Sequence, residues 1–292
     1  MASRPETPTR MDALGDRMKG YEGMNMGDRL NPDQPSCMRL DGRCFSKFTR
    51  AFSRPFDPAL SDAMRRTTRL LMEETQALAG YTQSDEITLV WDRATSGELL
   101  FDGRLQKLVS TMAAKASVHF AIALSQRHPE IVRDALPGFD ARAWNIPGRA
   151  EAANCVLWRA LDARKNGIST SCRTVARARE MHGLDGRAMI ALMRRRGLDF
   201  PEAFDPRDLN GTFFRTCIRE TTLDEETLAR IPPRHRPGPD FRVRRRIIVE
   251  GDGEDLTACT NLVETIFSGA EPVFSGADSV PDTGKPGTPN AT

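Results

Sequence analysis

The chain has 292 residues, enough for one large domain or two small ones with a core that needs no disulfide or metal staple. Hydrophobic residues make up 39% and charged residues 28%, which argues against global disorder, and no run approaches the roughly 18 apolar residues of a membrane span. The 42 Lys and Arg nearly balance the 40 Asp and Glu, but residues 142–196 hold 12 basic against 4 acidic side chains, a block that points to a phosphate-rich partner.

In chain order, residues 1–12 read as a disordered N-terminus without the apolar stretch of a secretory signal. Ser36–Leu40 reads as a strand running into an Asp41-Gly42 turn. A helix is expected over 57–79, with Asp57 as N-cap, Pro58 at its first position and Gly80 closing it. Tyr81–Gln83 and Ile87–Trp91 flank the polar Ser84-Asp85-Glu86 and predict a hairpin. Leu105, Leu108, Met112, Ala116, Phe120 and Ala123 recur at helical spacing over 104–126, and a short strand is expected near Ala141–Trp144. This βαββαβ order predicts an α+β ferredoxin-like polymerase palm over residues 13–145. An extension over 146–250 follows, with helices at 150–164, 168–181 and 186–196 and strands at Thr212–Ile218 and Phe241–Val249 that pair with each other or extend the sheet. Residues 251–292 read as an acidic, largely disordered tail. The six cysteines form no C-x-x-C pair and the four histidines have no zinc spacing, so the thiols read as reduced and the protein as cytoplasmic.

Asp41 ends the first strand and Asp85 sits at the hairpin tip. In a ferredoxin-like sheet those strands are antiparallel neighbours, so the two carboxylates face each other. Like charges at that distance call for a cation between them, and hard oxygen donors with room for phosphates describe a two-ion Mg²⁺ site; the alternative is a plain Asp-Gly turn beside an ordinary hairpin residue. Gly42 lets the backbone approach a phosphate or metal closely. Arg43 and Lys47 follow where they could meet phosphates, and Arg104 and Lys107, one turn apart on the second helix, read either as a clamp on a triphosphate or as a solvated helix end. Glu86, one residue from Asp85, is expected on the other face with a structural role, and the Arg194–Arg196 and Arg242–Arg246 runs are candidate grips for RNA phosphates.

Arg39-Leu40-Asp41-Gly42-Arg43, then Phe45, Phe48 and Pro55, then Gly80-Tyr81-Thr82-Gln83-Ser84-Asp85-Glu86 resemble the tRNA-His guanylyltransferase family. Pro137–Asp140 and Trp158–Asn166 extend the match over about residues 13–249, and the bacterial and phage 3′–5′ polymerase branch is the most similar. The resemblance implies a nucleotidyltransferase that activates a tRNA 5′ end with ATP and then adds a nucleotide, often from GTP, through attack of its 3′-hydroxyl. It implies that Asp41 and Asp85 are catalytic and hold two Mg²⁺ ions with Gly42. It places Arg43, Cys44, Phe45, Ser46 and Ser84 around the nucleotide, Arg104 and Lys107 on its triphosphate, and Arg159, Arg164, Lys165 and Asn166 on the tRNA. It also implies a homotetramer. Two departures stand out: Arg164-Lys165-Asn166-Gly167 replaces the His-Ile-Asn-Asn run of the eukaryotic enzymes, and Cys44 replaces their Asn. The first favours template-directed repair over dedicated addition of a single G to tRNA-His. A nucleotide cyclase on the same palm, or a non-catalytic RNA-binding protein, are the rivals. The basic block opposes the first and the retained acid pair opposes the second.

Overall fold

Both faces of β1 (Ser36–Gly42) are buried, Met38 and Leu40 on one and Cys37 on the other, so its sequence needs no strict apolar–polar alternation. The structure is a computed structural model and describes residues 27–275 apart from 97, 99, 239 and 240, with the isolated positions 16, 18 and 21. The expected disorder of residues 1–12 and of 276–292 therefore lies outside the described residues.

After β1 the chain forms α1 (Pro58–Thr75), β2 (Ala79–Gln83), β3 (Glu86–Trp91), α2 (Leu105–Ser125) and β4 (Phe139–Asn145). Asp57 caps α1 as expected, its carboxylate accepting the N–H groups of Ala59 and Leu60. α1 ends earlier than expected, at the left-handed Gln76. Gly80 instead lies inside β2, where a Cβ would stand 2.6 Å from the Met72 sulfur, so this glycine serves strand–helix packing rather than a cap.

Next come α3 (Arg149–Cys172), α4 (Gly186–Arg195), β5 (Thr212–Thr221), β6 (Val243–Glu250) and α5 (Leu262–Ser268), with shorter helices in the connections. The sheet order is β4-β1-β3-β2-β5-β6, with every neighbouring pair antiparallel. Its first four strands have the ferredoxin-like arrangement, and the last two both pair with each other and extend it. The two helices expected at 150–164 and 168–181 are one helix to Cys172. Gly167 does not break it, because a Cβ there would meet the Leu209 carbonyl at 2.5 Å; the residue is small to admit the short helix Pro206–Asn210.

α1 and α2 cover one face of the sheet, packing Leu71, Met72, Leu108, Met112, Ala116 and Phe120 on Met38, Leu40, Ile87 and Leu89. Among the described residues α2 is the one helix long and apolar enough to cross a membrane, which corrects the expectation that none is, but its Leu108–Leu124 stripe is built into this core. α3 covers the other face with Ala152, Ala153, Val156, Ala160 and Ala163. The expectation of a largely disordered segment from residue 251 onward is corrected in part. Leu256, Leu262, Ile266 and Phe267 complete this second core, and Arg215 pairs with Glu271. A handful of apolar residues spaced on one short helix was enough to dock a segment whose overall composition is acidic. A third cluster, including Cys172, Met181, Met193, Phe200 and Leu209, forms a small lobe between α3 and β5.

Chain reversal assigns each connection to one end of the sheet. The end of β1, the start of α1, the β2–β3 turn and the start of β4 share one end; the start of β1, the end of β3 and the start of α2 share the other. Replacing Gly167 with Ala should lower stability by about 1–3 kcal/mol in urea denaturation, because the gain in helix propensity is smaller than the cost of displacing the Leu209 backbone.

Candidate active site

Asp41, next to last in β1, lies opposite Glu86 on β3 and Asp140 on β4. The Gly42 N–H donates to the Asp85 carbonyl at 3.0 Å, which ties the hairpin tip to the end of β1. The turn is tight because Ser84 adopts a left-handed φ of 54°, and its hydroxyl donates to the Asp85 carboxylate at 3.1 Å. Burial raises the Asp85 carboxyl above the ordinary carboxylate range, and the charge of Asp41 raises it further. Burial also raises Glu86, against the pull of Arg159 and Arg39. Glu86 ion-pairs with Arg159 at 3.4 Å and Arg39 at 3.6 Å, which is a bracing role. It shares the face of its cross-strand partner Asp41.

Gly42 has a packing reason beyond backbone approach: a Cβ would fall on the Phe45 ring. Phe45 follows the left-handed Cys44, is buried, and packs at 5.2–5.4 Å from the rings of Phe48, Phe120 and Phe139. Arg43 and Cys44 are exposed, and the Arg43 N–H donates to the Gly138 carbonyl at 2.8 Å.

Two cavities adjoin along a common wall of Arg54, Pro55, Phe56, Ser61 and Met64 and meet at Ser84 and Asp85. One, of about 290 Å³, has an apolar floor of Phe45, Leu60, Met64 and Phe120 with Ser46 and Thr49 on its wall. The other, of about 370 Å³, is polar and runs from Arg54 and Ser61 on the α1 side to Asn166, Ser169, Thr170 and Arg173 on α3 and beyond it. Among the described residues neither Arg54 nor Arg173 has an ion-pair partner, so both guanidinium groups are available to an anion. The sequence reading missed both. The signal was topological: the segment before α1 starts where β1 ends, beside the acid pair.

Arg104 and Lys107 line neither cavity. They start α2 at the opposite end of the sheet, where Leu105 N–H bonds the Asp28 carbonyl and the Lys107 ammonium sits 4.8 Å over the Phe101 ring. The helix carries them about 15–20 Å from Ser117, which bonds Phe139 at the site end. Within one chain they do not form the expected clamp, because a crossover helix must begin where its strand ends. Arg159 is buried against Glu86 and Asp162 and stacks on Trp158 at 4.1 Å, so it braces the site instead of presenting itself to tRNA. Arg164 pairs with Asp255. Lys165 is exposed, and Asn166 lines the polar cavity with its amide 3.3 Å from Asp162.

Asp41, Asp85 and the Gly42 carbonyl offer oxygen donors of the kind Mg²⁺ accepts while keeping water and phosphate oxygens as its other ligands. Among the described residues no group of three or more His, Cys, Asp or Glu is placed to cage a metal alone. The raised carboxyl of Asp85 beside Asp41 is the behaviour of a pair waiting for a cation, so the residues fit the ion.

A family model described as tRNAHis guanylyltransferase matches residues 15–147. The chain is 32% identical over 204 residues to uncharacterized protein R259 of Acanthamoeba polyphaga mimivirus, covering 62% of this chain and 70% of that one. It is 32% identical over 154 residues to a tRNA(His) guanylyltransferase of Schizosaccharomyces pombe, covering 52% of this chain and 56% of the relative. The chain thus spans just over half the length of this fungal relative. Two solved structures of a bacterial tRNA(His) guanylyltransferase-like protein are similar. The one in complex with ATP has a TM-score of 0.64 at 29% identity over 69% of this chain and 88% of that chain. The one in complex with GTP has a TM-score of 0.55 at 28% identity over 70% and 85%.

Two outcomes follow from the electrostatics. Asp85 binds its proton more tightly folded than unfolded, so it costs metal-free protein stability as pH rises from the ordinary carboxylate range through its raised value. Asp85→Asn should stabilise metal-free protein by about 1 kcal/mol at neutral pH and less at acid pH, read by urea denaturation. Arg159→Ala should destabilise by about 3 kcal/mol in the same assay, because Glu86 then keeps a half-buried charge with one brace fewer.

Proposed function

The chain belongs to the tRNA-His guanylyltransferase family of nucleotidyltransferases, and from that premise we propose that it adds nucleotides to tRNA 5′ ends in the 3′–5′ direction, chiefly as template-directed repair. The observation that carries this reading is the pair of unlike cavities meeting at Asp85. A nucleotidyl transfer needs two substrates to meet at one phosphorus, and each cavity suits one of them.

The apolar floor of Phe45, Leu60, Met64 and Phe120 suits a nucleobase, with Ser46 and Thr49 for polar contacts. The polar cavity suits the RNA 5′ end, with Arg54 and Arg173 meeting phosphate oxygens. In the activation step an oxygen of the RNA 5′-monophosphate attacks the α-phosphorus of ATP and pyrophosphate leaves. In the addition step the 3′-hydroxyl of the incoming nucleotide attacks the activated 5′ phosphorus, AMP leaves, and the hydroxyl proton passes to solvent. Asp41, Asp85 and the Gly42 carbonyl would hold Mg²⁺, which when bound would supply charge neutralisation at the phosphates and activation of the attacking hydroxyl. Ser84 orients the Asp85 carboxylate by its hydrogen bond, and the Gly42–Asp85 bond fixes the spacing of the two acids.

The departure at Arg164 supports repair over dedicated G addition: its guanidinium is committed to Asp255, where the eukaryotic run has a histidine. Assembly as a homotetramer is part of the same proposal, supported by the exposed Val118 and Ile122 on α2. A cytoplasmic location is supported by six free cysteines.

The test is incubation with Mg²⁺, ATP and NTPs of two 5′-monophosphorylated RNAs: tRNA-His lacking its 5′ G, and a non-His tRNA truncated by one 5′ nucleotide. Extension of both by the templated base is expected. Addition of G to tRNA-His alone would replace repair with dedicated guanylylation, and no product with either would overturn the enzyme reading. Asp41→Ala and Asp85→Ala should each lower the rate at least about a hundredfold. Arg173→Ala should raise KM for RNA about tenfold while leaving KM for the nucleotide near its starting value, since Arg173 lines the polar cavity alone.

A further inference from the structure

The small lobe between α3 and β5 has its own apolar centre, and its 173–197 stretch is strongly basic, whereas 198–210 carries Asp199, Glu202, Asp205 and Asp208. Residues 173–197 contain seven Arg, two acids and no Lys. Both acids are already engaged: Asp185 caps α4 by accepting the Ala188 N–H at 2.7 Å, and Glu180 accepts the Arg177 N–H at 2.8 Å and pairs with Arg196. Arg196 also donates to the Val175 carbonyl at 2.6 Å. It is therefore a structural pin and not the RNA grip expected of it, and it fastens the C-terminal end of α4 to the 175–180 segment.

The pin has a consequence for the other six. Arg194 and Arg195 end α4 beside the segment that carries Arg177 and Arg179, and Arg173 begins that segment at the rim of the polar cavity. Arg187 lies seven residues before Arg194, two helical turns along the same exposed face, while Met193 points into the lobe's centre. All six are exposed, and among the described residues Arg173, Arg187, Arg194 and Arg195 have no ion-pair partner. Concentrating like charge along one stretch of surface costs self-repulsion unless a polyanion lies against it. The 187–194 spacing of about 10 Å along the helix can bridge separate phosphates of a backbone, which a single small anion cannot exploit.

We infer that this lobe is a docking surface for the phosphate backbone of an RNA duplex, continuous with the polar cavity, so that the stem next to the reacting 5′ end lies along α4. The inference rests on the proposed function for its choice of RNA. It adds a surface that neither the acid pair nor the cavities supply.

The experiment measures binding of a short 5′-monophosphorylated RNA hairpin to the full chain over a series of salt concentrations, for wild type, Arg187→Gln/Arg194→Gln/Arg195→Gln, and the corresponding triple Lys variant. The Gln variant is expected to bind at least about tenfold more weakly at low salt, with the slope of log affinity against log salt shallower by about three, roughly 0.9 for each phosphate no longer neutralised. The Lys variant should recover most of both. ATP binding and thermal midpoint, measured alongside, separate loss of the surface from loss of fold. Equal affinity and slope in wild type and Gln variant would overturn the inference, as would equal loss in the Gln and Lys variants with an unchanged midpoint. If wild type binds the hairpin through these arginines but adds no nucleotide, the surface stands and the functional proposal falls. If wild type adds nucleotides and the Gln variant binds RNA normally, the proposal stands and the surface falls.

Discussion

The hydrogen bond from the Gly42 N–H to the Asp85 carbonyl is the tie on which the site depends. It holds the tip of one hairpin against the end of a strand more than 40 residues earlier, and so holds two carboxylates together that would separate if free. Burial and the neighbouring charge both act against the ionised Asp85. The fold must therefore supply the free energy that keeps the acids in place. It does so from both sides of the sheet. Apolar packing of α1 and α2 fixes β1 and β3 from one face, and α3 fixes them from the other.

Bracing of the site uses charge as well as packing. Arg159 reaches from α3 to Glu86, the residue after Asp85, and Arg39 reaches Glu86 along the sheet. Both guanidinium groups lower the carboxyl of Glu86 against its burial, and Arg39 acts the same way on Asp85. The C-terminal segment locks α3 in turn, through Arg164 with Asp255 and through Leu256, Leu262 and Ile266 beneath it. Residues far apart in the chain thereby act together to hold one repulsive pair.

The palm order and the acid pair were legible in the sequence because each rests on local signals: an Asp-Pro cap for α1, a polar turn between β-prone runs, and an Asp at each of two strand ends. What failed were inferences that needed the third dimension. Arg104 and Lys107 are well spaced on a helix face, but the crossover puts that face at the wrong end of the sheet. Gly80 and Gly167 resemble helix punctuation, yet each is small because another chain segment crosses close by. The polarity of the C-terminal stretch hid a short amphipathic helix. The polar cavity was invisible because its walls come from four separated segments.

The basic block shows why a charge count alone cannot define a surface. Arg159 is consumed by Glu86 and Asp162, Arg164 by Asp255, and Arg196 by Glu180 and the Val175 carbonyl. These three hold the fold together, and a polyanion could recruit them only by breaking buried or half-buried pairs. Arg173, Arg187, Arg194 and Arg195 have no such commitment among the described residues, and they gather on a stretch whose two acids, Glu180 and Asp185, are already used. The same residue type thus does two jobs within some 40 positions. The partner of each guanidinium, rather than its place in a run, decides whether it stabilises the enzyme or faces what the enzyme binds.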